Sequence, residues 1–354
     1  MNARQLLALE GDGIGPEIMA ATLSVLDALR PVLSRKIEIT RAQIGFAALR
    51  EHGSTIPDAV IEAAKAADGV ILGPVSHNEY PPKDEGGLNP SGVLRRQLDL
   101  YANIRPARLW EGLAAPAQTA MDLVVVRENL EGFYADRNMH MGGGEFMPVP
   151  GVALAIRRIT EEACLRIARK GFELAAARPE KRVAAIHKAN VMRLSDGLFL
   201  DVVRSVAAEY PQIAYEEILV DAAAAHLVRN PARFDVLITT NMFGDILSDL
   251  ASELAGGLGL AGSLNVGPHH VAAQAQHGSA PDIAGKDMAN PVSLILSLEM
   301  MLRHFGEVTA ADRIIAALSI CLATAATRTK DLGGELGCTA FTTQMISHIE
   351  GTTT

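Results

Sequence analysis

The chain has 354 residues, of which 49% are hydrophobic and 21% are charged, and its formal net charge at neutral pH is −9. This length predicts two domains or one large α/β domain, and the composition excludes a disordered or fibrous protein. The negative charge argues against a nucleic-acid partner, which would need a basic surface, so an anionic substrate must meet a local cluster of cationic side chains.

The apolar runs of the sequence are too short to span a membrane. Residues 6–9 are also too short for the apolar core of a signal peptide, and they lead directly into Glu10. The three cysteines, Cys164, Cys321 and Cys338, are scattered without the spacing of a zinc site or a redox motif. We therefore expect a soluble, cytoplasmic protein with reduced thiols and no membrane partner.

The N-terminal segment predicts a strand at residues 5–9, a glycine-rich turn at 11–16 and a helix at 17–29. The glycines of the turn are spaced G-x-G-x-G, and a proline stands where a dinucleotide-binding fingerprint has its third glycine. A dinucleotide-binding turn and an ordinary glycine-rich turn both remain open. Further strands at 37–40 and 69–72, with helical pattern between them, indicate a parallel α/β sheet.

Residues 73–90 are rich in proline, glycine and charge, which indicates a long surface loop, and a helix is predicted at 91–101. Three arginines lie beside predicted element boundaries: Arg95, Arg105 and Arg127. Arginines are usually surface charges. In an acidic protein we expect these three to converge on substrate carboxylates, which the guanidinium group binds through two hydrogen bonds.

The middle of the chain predicts helices at 160–177 and 199–210 with a strand at 182–186 between them, and a strand at 235–240. Residues 241–244 resemble a turn that leaves this last strand, and a helix should follow. Asp245 and Asp249 stand four residues apart, so their carboxylates share one helical face. A helix-capping role would explain one aspartate, but two in register favour a hard cation, Mg²⁺ or Mn²⁺.

Six motifs occur in a fixed order along the chain: Gly11-Asp-Gly-Ile-Gly-Pro-Glu17, Leu98-Asp-Leu-Tyr-Ala-Asn-Ile-Arg-Pro106, Val126-Arg-Glu-Asn-Leu-Glu-Gly132 with Tyr134, His187-Lys-Ala-Asn190, Gly244-Asp-Ile-Leu-Ser-Asp249 and His277-Gly-Ser-Ala-Pro-Asp282. Together they resemble the isocitrate/isopropylmalate dehydrogenase family of metal-dependent β-decarboxylating dehydrogenases. The resemblance covers nearly the whole chain.

The resemblance implies a two-domain α/β fold with parallel or mixed sheets flanked by helices and an active site in the cleft between the domains. The cofactor-binding domain would comprise residues 1–100 and 256–354, and the substrate and dimerisation domain residues 101–255. An arm near residues 134–159 would clasp the partner in a homodimer with shared active sites.

The same resemblance assigns roles to individual residues. Tyr134 and Lys188 would be catalytic, with Lys188 supplied by the partner subunit. The metal ligands would be Asp245 and Asp249 with Asp221 of the partner, although Asp221 alone would be read as a helix N-cap. The substrate-binding residues would be Asn89, Ser91, Arg95, Arg105 and Arg127.

The implied cofactor is NAD, bound by Ile14, Asn190, His277, Gly278, Ser279, Ala280, Asp282, Ile283 and Asn290. A carboxylate at Asp282 can accept a hydrogen bond from the ribose 2′-hydroxyl and repels a 2′-phosphate, so NAD is favoured over NADP. The chain departs from the family pattern at Gln274, where the family usually has Glu. The effect of this departure on local cofactor contacts is open.

The implied reaction has two stages. NAD⁺ takes hydride from C2 of a (2R)-2-hydroxy acid while Lys188 helps to remove the hydroxyl proton. The metal then assists loss of the 3-carboxylate as CO₂, and Tyr134 protonates the resulting enol to leave a 2-keto acid.

In the resembling enzymes the residues just before Arg95 lie beside the C3 group of the substrate. Isopropylmalate enzymes have two leucines there, whereas this chain has Ser91 and Gly92, with Asn89 two residues earlier. We therefore expect a polar or small C3 group, as in isocitrate, malate or tartrate. 3-Isopropylmalate and homoisocitrate remain alternative substrates.

Two rival functions come from other classes. A non-catalytic regulatory homologue should lack part of the Arg, Tyr, Lys and Asp set, which is complete here. A Rossmann-type dehydrogenase without metal or decarboxylation is disfavoured by the glycine spacing after the first strand.

Overall fold

The computed structural model describes residues 3–134 and 143–351. The chain forms two compact units, the first made of Met1–Leu98, Trp110–Ala114 and Gly256–Thr354 and the second of Asp99–Leu109 and Ala115–Ala255. Within the described ranges, no helix is both long and apolar enough to cross a membrane.

The described part of the first unit contains five strands: β1 (Arg4–Leu9), β2 (Ile37–Ala42), β3 (Gly69–Leu72), β11 (Leu264–Val266) and β12 (Val271–Gln274). Their order is β2-β1-β3-β12-β11. β1 pairs in parallel with β2 and β3, and β3 pairs in parallel with β12. The last pair, β12 with β11, is antiparallel.

The helices of the first unit are α1 (Gly15–Ala28), α2 (Gly45–His52), α3 (Asp58–Ala66), α4 (Pro90–Gln97), α9 (Val292–His304), α10 (Val308–Ala323) and α11 (Cys338–Gly351). α1 begins in the glycine-rich turn, where Pro16 occupies the first helical turn and loses no helical hydrogen bond. α9 is buried on nearly all sides from Val292 to Leu302, because α1, α10 and β12 all pack on it.

The second unit contains β4 (Ala102–Arg108), β5 (Asp122–Glu128), β8 (Arg182–His187), β9 (Ala214–Leu219) and β10 (Val236–Thr239). Their order is β4-β5-β10-β8-β9. β4 is antiparallel to β5, and the other neighbours are parallel. Both units are therefore mixed α/β structures with mostly parallel sheets, which confirms the predicted fold class.

Helices cover this second sheet on both faces: α5 (Glu161–Ala177), α6 (Ser195–Ala207), α7 (Val220–Arg229) and α8 (Asn241–Leu254). Alternate residues of each strand point to opposite faces. Leu237 joins a buried apolar cluster with Leu247 of α8, whereas its neighbour Ile238 meets Gly171 of α5. Central strands buried on both sides read as continuous apolar runs, which is why these strands were visible in the sequence.

A separate hairpin is formed by β6 (Glu145–Val149) and β7 (Val152–Ala155), which pair in antiparallel fashion. Its apolar side chains, including Phe146 and Met147, are exposed in the single chain. The hairpin belongs to the predicted arm at 134–159, of which residues 135–142 lie outside the described part of the chain. The clasping role of this arm stays a prediction.

Several predicted bounds were wrong. The helix expected at 91–101 ends at Gln97, because Asp99 adopts a left-handed backbone with φ of 48° that a helix cannot contain. The helix expected to start at residue 199 starts at Ser195. Residues 241–244 are not a turn but the first turn of α8, whose N-cap is Thr240.

The sequence interpretation also missed elements that the structure contains. They include β4, β9, β11, β12, α7 and α11. Both β11 and β12 are only three or four residues long, and β4 contains Pro106, a residue that disfavours strand assignment. Short strands and a strand with proline carry too little periodicity to be recognised alone.

The contact between α5 and β10 predicts a difference between two glycines. A Cβ added at Gly171 would lie 2.4 Å from Cγ1 of Ile238, whereas a Cβ at Gly197 in α6 would meet nothing within 4 Å. Gly171→Ala should therefore lower the free energy of unfolding by about 1 to 3 kcal/mol through overpacking. Gly197→Ala should leave it unchanged or raise it by up to about 1 kcal/mol, because alanine favours the helix.

Urea unfolding followed by circular dichroism measures both changes. Equal effects of the two substitutions would contradict the described packing of α5 on β10.

Candidate active site

Polar and charged side chains of the second unit gather where its parallel strands end. Arg127 lies near the end of β5, α8 follows β10, Lys188 follows β8, and Asp221 lies in the first turn of α7 after β9. The carboxyl ends of parallel strands share one edge of the sheet, and α/β proteins bind ligands at this edge. The strand order puts β4 and β5 beside β10, and β8 beside β9, which produces two groups of side chains.

The first group joins two arginines to two aspartates. Arg127 Nη1 donates a short hydrogen bond to Asp245 Oδ1. Arg105 Nη1 lies 3.4 Å from the same oxygen and 3.1 Å from Asp249 Oδ1. The arginine side chains are 8% (Arg105) and 3% (Arg127) exposed, whereas the aspartates are 36% (Asp245) and 53% (Asp249) exposed. Two buried cations therefore lie beneath two carboxylates that reach solvent.

Further polar residues hold the two guanidinium groups in place. Asn241 Oδ1 accepts hydrogen bonds from Arg127 Nε at 3.1 Å and from Nη2 at 2.6 Å. Ser248 Oγ accepts from Arg105 Nη1 at 2.8 Å, and Asn103 Oδ1 accepts from Arg105 Nε. Sequence reasoning missed these three residues. Asn103 stands two positions before Arg105 on the same strand, a spacing that could have indicated a shared face.

Burial lowers the pKa of both arginines but leaves their side chains charged. Burial is the main cause that lowers the pKa of Arg127 to about 10, with a smaller contribution from Arg105, while Asp245 opposes the change. Burial likewise lowers the pKa of Arg105 against the attraction of Asp245 and Asp249. Both groups remain cations at neutral pH, so the group can still bind carboxylates of a substrate.

Tyr134 reaches the same aspartate from the turn after β5. Its hydroxyl donates to Asp245 Oδ2 at 3.3 Å. The turn is shaped by Glu128, whose carboxylate accepts the backbone N–H groups of Leu130 and Glu131 at 2.8 Å each. Burial raises the pKa of Glu128 to about 7. The predicted catalytic tyrosine is thus brought together with Arg127 and Asp245.

The second group contains the predicted catalytic lysine. Lys188 Nζ donates to Asp221 Oδ1 at 2.7 Å, and this ammonium lowers the pKa of Asp221. Asp196, a buried residue that sequence reasoning missed, accepts the backbone N–H of Lys188 and pairs with Arg157 at 2.6 Å. Asn190 lies exposed in the turn that follows.

The predicted metal ligands are therefore divided within one chain. Asp245 and Asp249 lie on successive turns of α8, and Asp221 lies with Lys188. Across the described residues, no three His, Cys, Asp or Glu side chains group closely enough to hold a metal ion. The carboxylates of Asp245 and Asp249 are nevertheless the hard oxygen donors that Mg²⁺ and Mn²⁺ prefer, and they reach solvent, so they fit such an ion.

The remaining predicted substrate residues belong to the first unit. Asn89 caps α4, with its side-chain oxygen accepting from Gly92 N at 3.2 Å. Ser91 is buried and accepts a hydrogen bond from Gln274 Nε2 at 2.7 Å. Arg95 donates to Gln274 Oε1 at 3.4 Å. Gln274, noted above for its departure from the family pattern, thus contacts two of the predicted residues.

The predicted cofactor loop packs against the glycine-rich turn of the first unit. Ile14 N donates to the carbonyl oxygen of Ser279 at 2.8 Å. A Cβ at Gly13 would lie 2.0 Å from that oxygen, so only glycine permits this approach. Ala280 has a left-handed backbone with φ of 38°.

The predicted cofactor-binding residues of this region differ in hydrogen bonding and in exposure. Asn290 donates to Asp331 Oδ2 at 2.9 Å and is buried, whereas Gly278 and Asp282 are exposed and Ile283 is half-buried. Burial lowers the pKa of His277, and its buried Nε2 has no hydrogen-bond partner among the described residues. A buried imidazole nitrogen without a partner, in the same loop as an exposed carboxylate, fits a nucleoside ligand.

Asp12, which lies in the glycine-rich turn, connects this turn with the residues beside the predicted cofactor loop. The sequence interpretation did not recognise this role of Asp12. Its carboxylate accepts the backbone N–H of Phe46 at 2.8 Å and of Ser76 at 3.0 Å, and a short hydrogen bond from the Tyr80 hydroxyl. Burial and this carboxylate raise the pKa of Tyr80. Ser76 Oγ in turn lies 2.7 Å from Ser279 Oγ.

Comparison with known proteins gives one consistent result. A family model described as isocitrate/isopropylmalate dehydrogenase matches residues 5–349. The chain is 42% identical to a 3-isopropylmalate dehydrogenase of Archaeoglobus fulgidus, over 98% of this chain and all of the relative. It is 39% identical to an isocitrate/homoisocitrate dehydrogenase of Thermus thermophilus, over 98% of this chain and 99% of the relative.

A solved structure agrees with the sequence comparisons. The crystal structure of an isocitrate dehydrogenase from Methylococcus capsulatus superposes with a TM-score of 0.88 at 37% identity, covering 98% of this chain and 99% of that one. The fold is thus that of an α/β dehydrogenase. The chain belongs to the isocitrate/isopropylmalate dehydrogenase family, which confirms the resemblance seen in the motifs. Its members are metal-dependent dehydrogenases of small carboxylate substrates.

The position of Asp245 predicts the effect of neutralising it. Asp245→Asn keeps the shape of the side chain but removes the charge that faces Arg105 and Arg127. We expect kcat/KM to fall by at least about 100-fold and the Mn²⁺ concentration for half-maximal activity to rise, since several kcal/mol of transition-state stabilisation depend on such a site.

Asp201→Asn, an exposed aspartate of α6 paired with Arg204, is the matched control and should behave as the unmodified protein. The assignment of Asp245 is wrong if its variant keeps both the activity and the metal dependence of that control.

Proposed function

We propose that the protein is an NAD-dependent and Mg²⁺- or Mn²⁺-dependent β-decarboxylating dehydrogenase. It would oxidise a (2R)-2-hydroxy acid that carries a 3-carboxylate and release a 2-keto acid and CO₂. The observation that carries this proposal is the group formed by Arg105, Arg127, Asp245 and Asp249.

The charges of this group suit a substrate with two carboxylates. Arg105 and Arg127 supply buried cations, and a buried guanidinium binds a carboxylate more strongly than an exposed one because water does not compete. Asp245 and Asp249 would repel the same substrate on their own. A divalent cation held by these aspartates removes the repulsion, which supports a metal-dependent reaction.

The divalent metal ion and NAD⁺, when bound, would supply chemistry that side chains lack. Mg²⁺ or Mn²⁺ at Asp245 and Asp249, with Asp221 of a second subunit, would act as a Lewis acid on the oxygens of the substrate. NAD⁺ held by the loop at 277–283 would accept the hydride from C2.

The proton steps would be carried by the chain's own residues. Lys188, supplied by the second subunit and in its neutral amine form, would accept the proton of the C2 hydroxyl as the C2–H bond breaks and a ketone forms. Arg105 and Arg127 would hold the substrate while the C3–carboxylate bond breaks and CO₂ leaves. Tyr134, whose hydroxyl already donates to Asp245, would deliver a proton to C3 of the enol.

The group carried on C3 would be polar or small. Asn89 and Ser91 line the start of α4 with an amide and a hydroxyl, which offer hydrogen bonds and little apolar surface. Isocitrate, malate or tartrate fits this chemistry better than 3-isopropylmalate. The loss of one methylene contact is worth only about 1 to 3 kcal/mol, so the preference is one of degree.

A second candidate is 3-isopropylmalate dehydrogenase activity. It is favoured by the 42% identity to a relative of that name, and homoisocitrate oxidation is favoured in the same way by the relative from Thermus thermophilus. A non-catalytic homologue is disfavoured because the Arg, Tyr, Lys and Asp set is complete.

The proposed substrate class predicts the outcome of a substrate panel. Isocitrate, D-malate, tartrate, homoisocitrate and 3-isopropylmalate are assayed with NAD⁺ and Mn²⁺, and CO₂ release is measured beside NADH formation. We expect the highest kcat/KM with a substrate whose C3 group is polar or small. A tenfold advantage for 3-isopropylmalate would contradict the interpretation of Asn89 and Ser91.

The proposed cofactor preference predicts a switch at Asp282. The unmodified enzyme should prefer NAD⁺, and Asp282→Lys with Ile283→Tyr should shift the ratio of kcat/KM toward NADP⁺ by at least about tenfold, because a 2′-phosphate needs a cation.

Asp27→Lys makes the same charge change at an exposed site of α1 and should leave the ratio unchanged. Equal kcat/KM of the unmodified enzyme with NAD⁺ and NADP⁺ would contradict the proposed role of Asp282 in cofactor preference.

A further inference from the structure

The side chain of Gln274 connects the two predicted substrate residues of α4. It leaves β12 and places its amide nitrogen 2.7 Å from Ser91 Oγ and its amide oxygen 3.4 Å from Arg95 Nη2. All three residues belong to the first unit. Their hydrogen-bond directions are set by groups that can only donate or only accept.

The orientation of the Gln274 amide follows from its neighbours. The carbonyl oxygen of Ala272 can only accept, so Asn265 presents its nitrogen to it at 3.3 Å. The same nitrogen lies 3.5 Å from Gln274 Oε1. Arg95 can only donate, and it approaches the same oxygen. With two donors at the oxygen, the amide nitrogen must face Ser91.

This orientation determines the direction of the Ser91 hydroxyl proton. A serine hydroxyl has one proton to donate and two lone pairs that accept. One lone pair receives the Gln274 N–H, so the proton points away from Gln274. Ser91 is only 7% exposed, and within the described ranges its proton has no acceptor. A buried hydroxyl proton without an acceptor is costly, so a ligand atom that accepts it would be bound selectively.

We propose that Gln274 is a positioning residue that determines substrate specificity by making Ser91 a hydrogen-bond donor toward the C3 group of the substrate. This inference rests on the proposed function, in which Ser91 lies beside that group. The substrate class it selects has, besides the 3-carboxylate that leaves as CO₂, a second group on C3 that offers an acceptor, a carboxylate or a hydroxyl. An alkyl group would leave the Ser91 proton unbonded.

The neutral amide is essential to this arrangement. A glutamate at position 274 would accept the Ser91 proton, and Ser91 would then present only lone pairs to the substrate. Those lone pairs repel a carboxylate. The choice between amide and carboxylate at residue 274 therefore reverses the hydrogen-bond preference of Ser91 without changing the size of either side chain.

Three variants test the inference: Gln274→Glu, Ser91→Ala and the double variant. Each is assayed with isocitrate, whose second C3 group is a carboxymethyl, and with 3-isopropylmalate, whose second C3 group is an isopropyl, and kcat and KM are determined separately. Gln97→Glu is the matched control, since it makes the same change on an exposed position of α4.

Each single variant should lower the ratio of kcat/KM for isocitrate to that for 3-isopropylmalate by at least about tenfold, the usual effect of one hydrogen bond to a charged group. The double variant should differ from Ser91→Ala by less than about twofold, because Gln274 acts through Ser91. The larger part of the loss should be in KM for isocitrate. Gln97→Glu should leave the ratio unchanged.

The inference is overturned if the two single effects multiply in the double variant, or if Gln274→Glu lowers the kcat/KM of both substrates equally. If Gln274→Glu does not fold, the ratio measured for Ser91→Ala alone decides, and an unchanged ratio overturns the inference. Failure of the proposed function would give a different result. The unmodified protein would then fail to reduce NAD⁺ with any of the 2-hydroxy acids.

Discussion

The burial of two arginines side by side is the interaction on which the second unit depends. Arg105 on β4 and Arg127 on β5 are almost fully buried, and a buried charge that loses its partner costs about 3 to 5 kcal/mol. The antiparallel pairing of these strands brings the two cations together, and α8 must then present Asp245 to both. Asn241 and Ser248 of the same helix accept further hydrogen bonds from the two guanidinium groups. Helix α8, which follows strand β10, thus supplies both aspartates of the group that contains Arg105 and Arg127.

Under the proposed function, a single chain would hold only part of the active site. The Arg105 and Arg127 group holds two carboxylates, and Lys188 with Asp221 forms a separate pair at the ends of β8 and β9. Each group satisfies its own charges in the absence of ligand. A homodimer in which each subunit lends Lys188 and Asp221 to the other would bring a third carboxylate and a base to Asp245, as the proposed chemistry requires.

Local features of the chain were predictable, and contacts between distant residues were not. The spacing of Asp245 and Asp249 correctly predicts a shared helical face, because helical geometry fixes it over four residues, and both contact Arg105. The contact of Gln274 with Ser91 joins residues 183 positions apart, and no local pattern encodes it. The role of Asn241 was hidden because its neighbours resembled a turn. The roles of individual site residues and the domain bounds stay predictions.

The most direct test of the account is a mixing experiment with two variants that are each expected to be inactive, Lys188→Ala and Asp245→Asn. If active sites are shared, a mixed dimer contains one intact site, and random exchange of subunits should restore about a quarter of the activity of the unmodified enzyme. Exchange is achieved by dilute denaturant followed by refolding, with each variant treated alone as the control. Activity in the mixture no higher than in the separate variants would contradict shared sites, and with them the proposed assembly of the metal site.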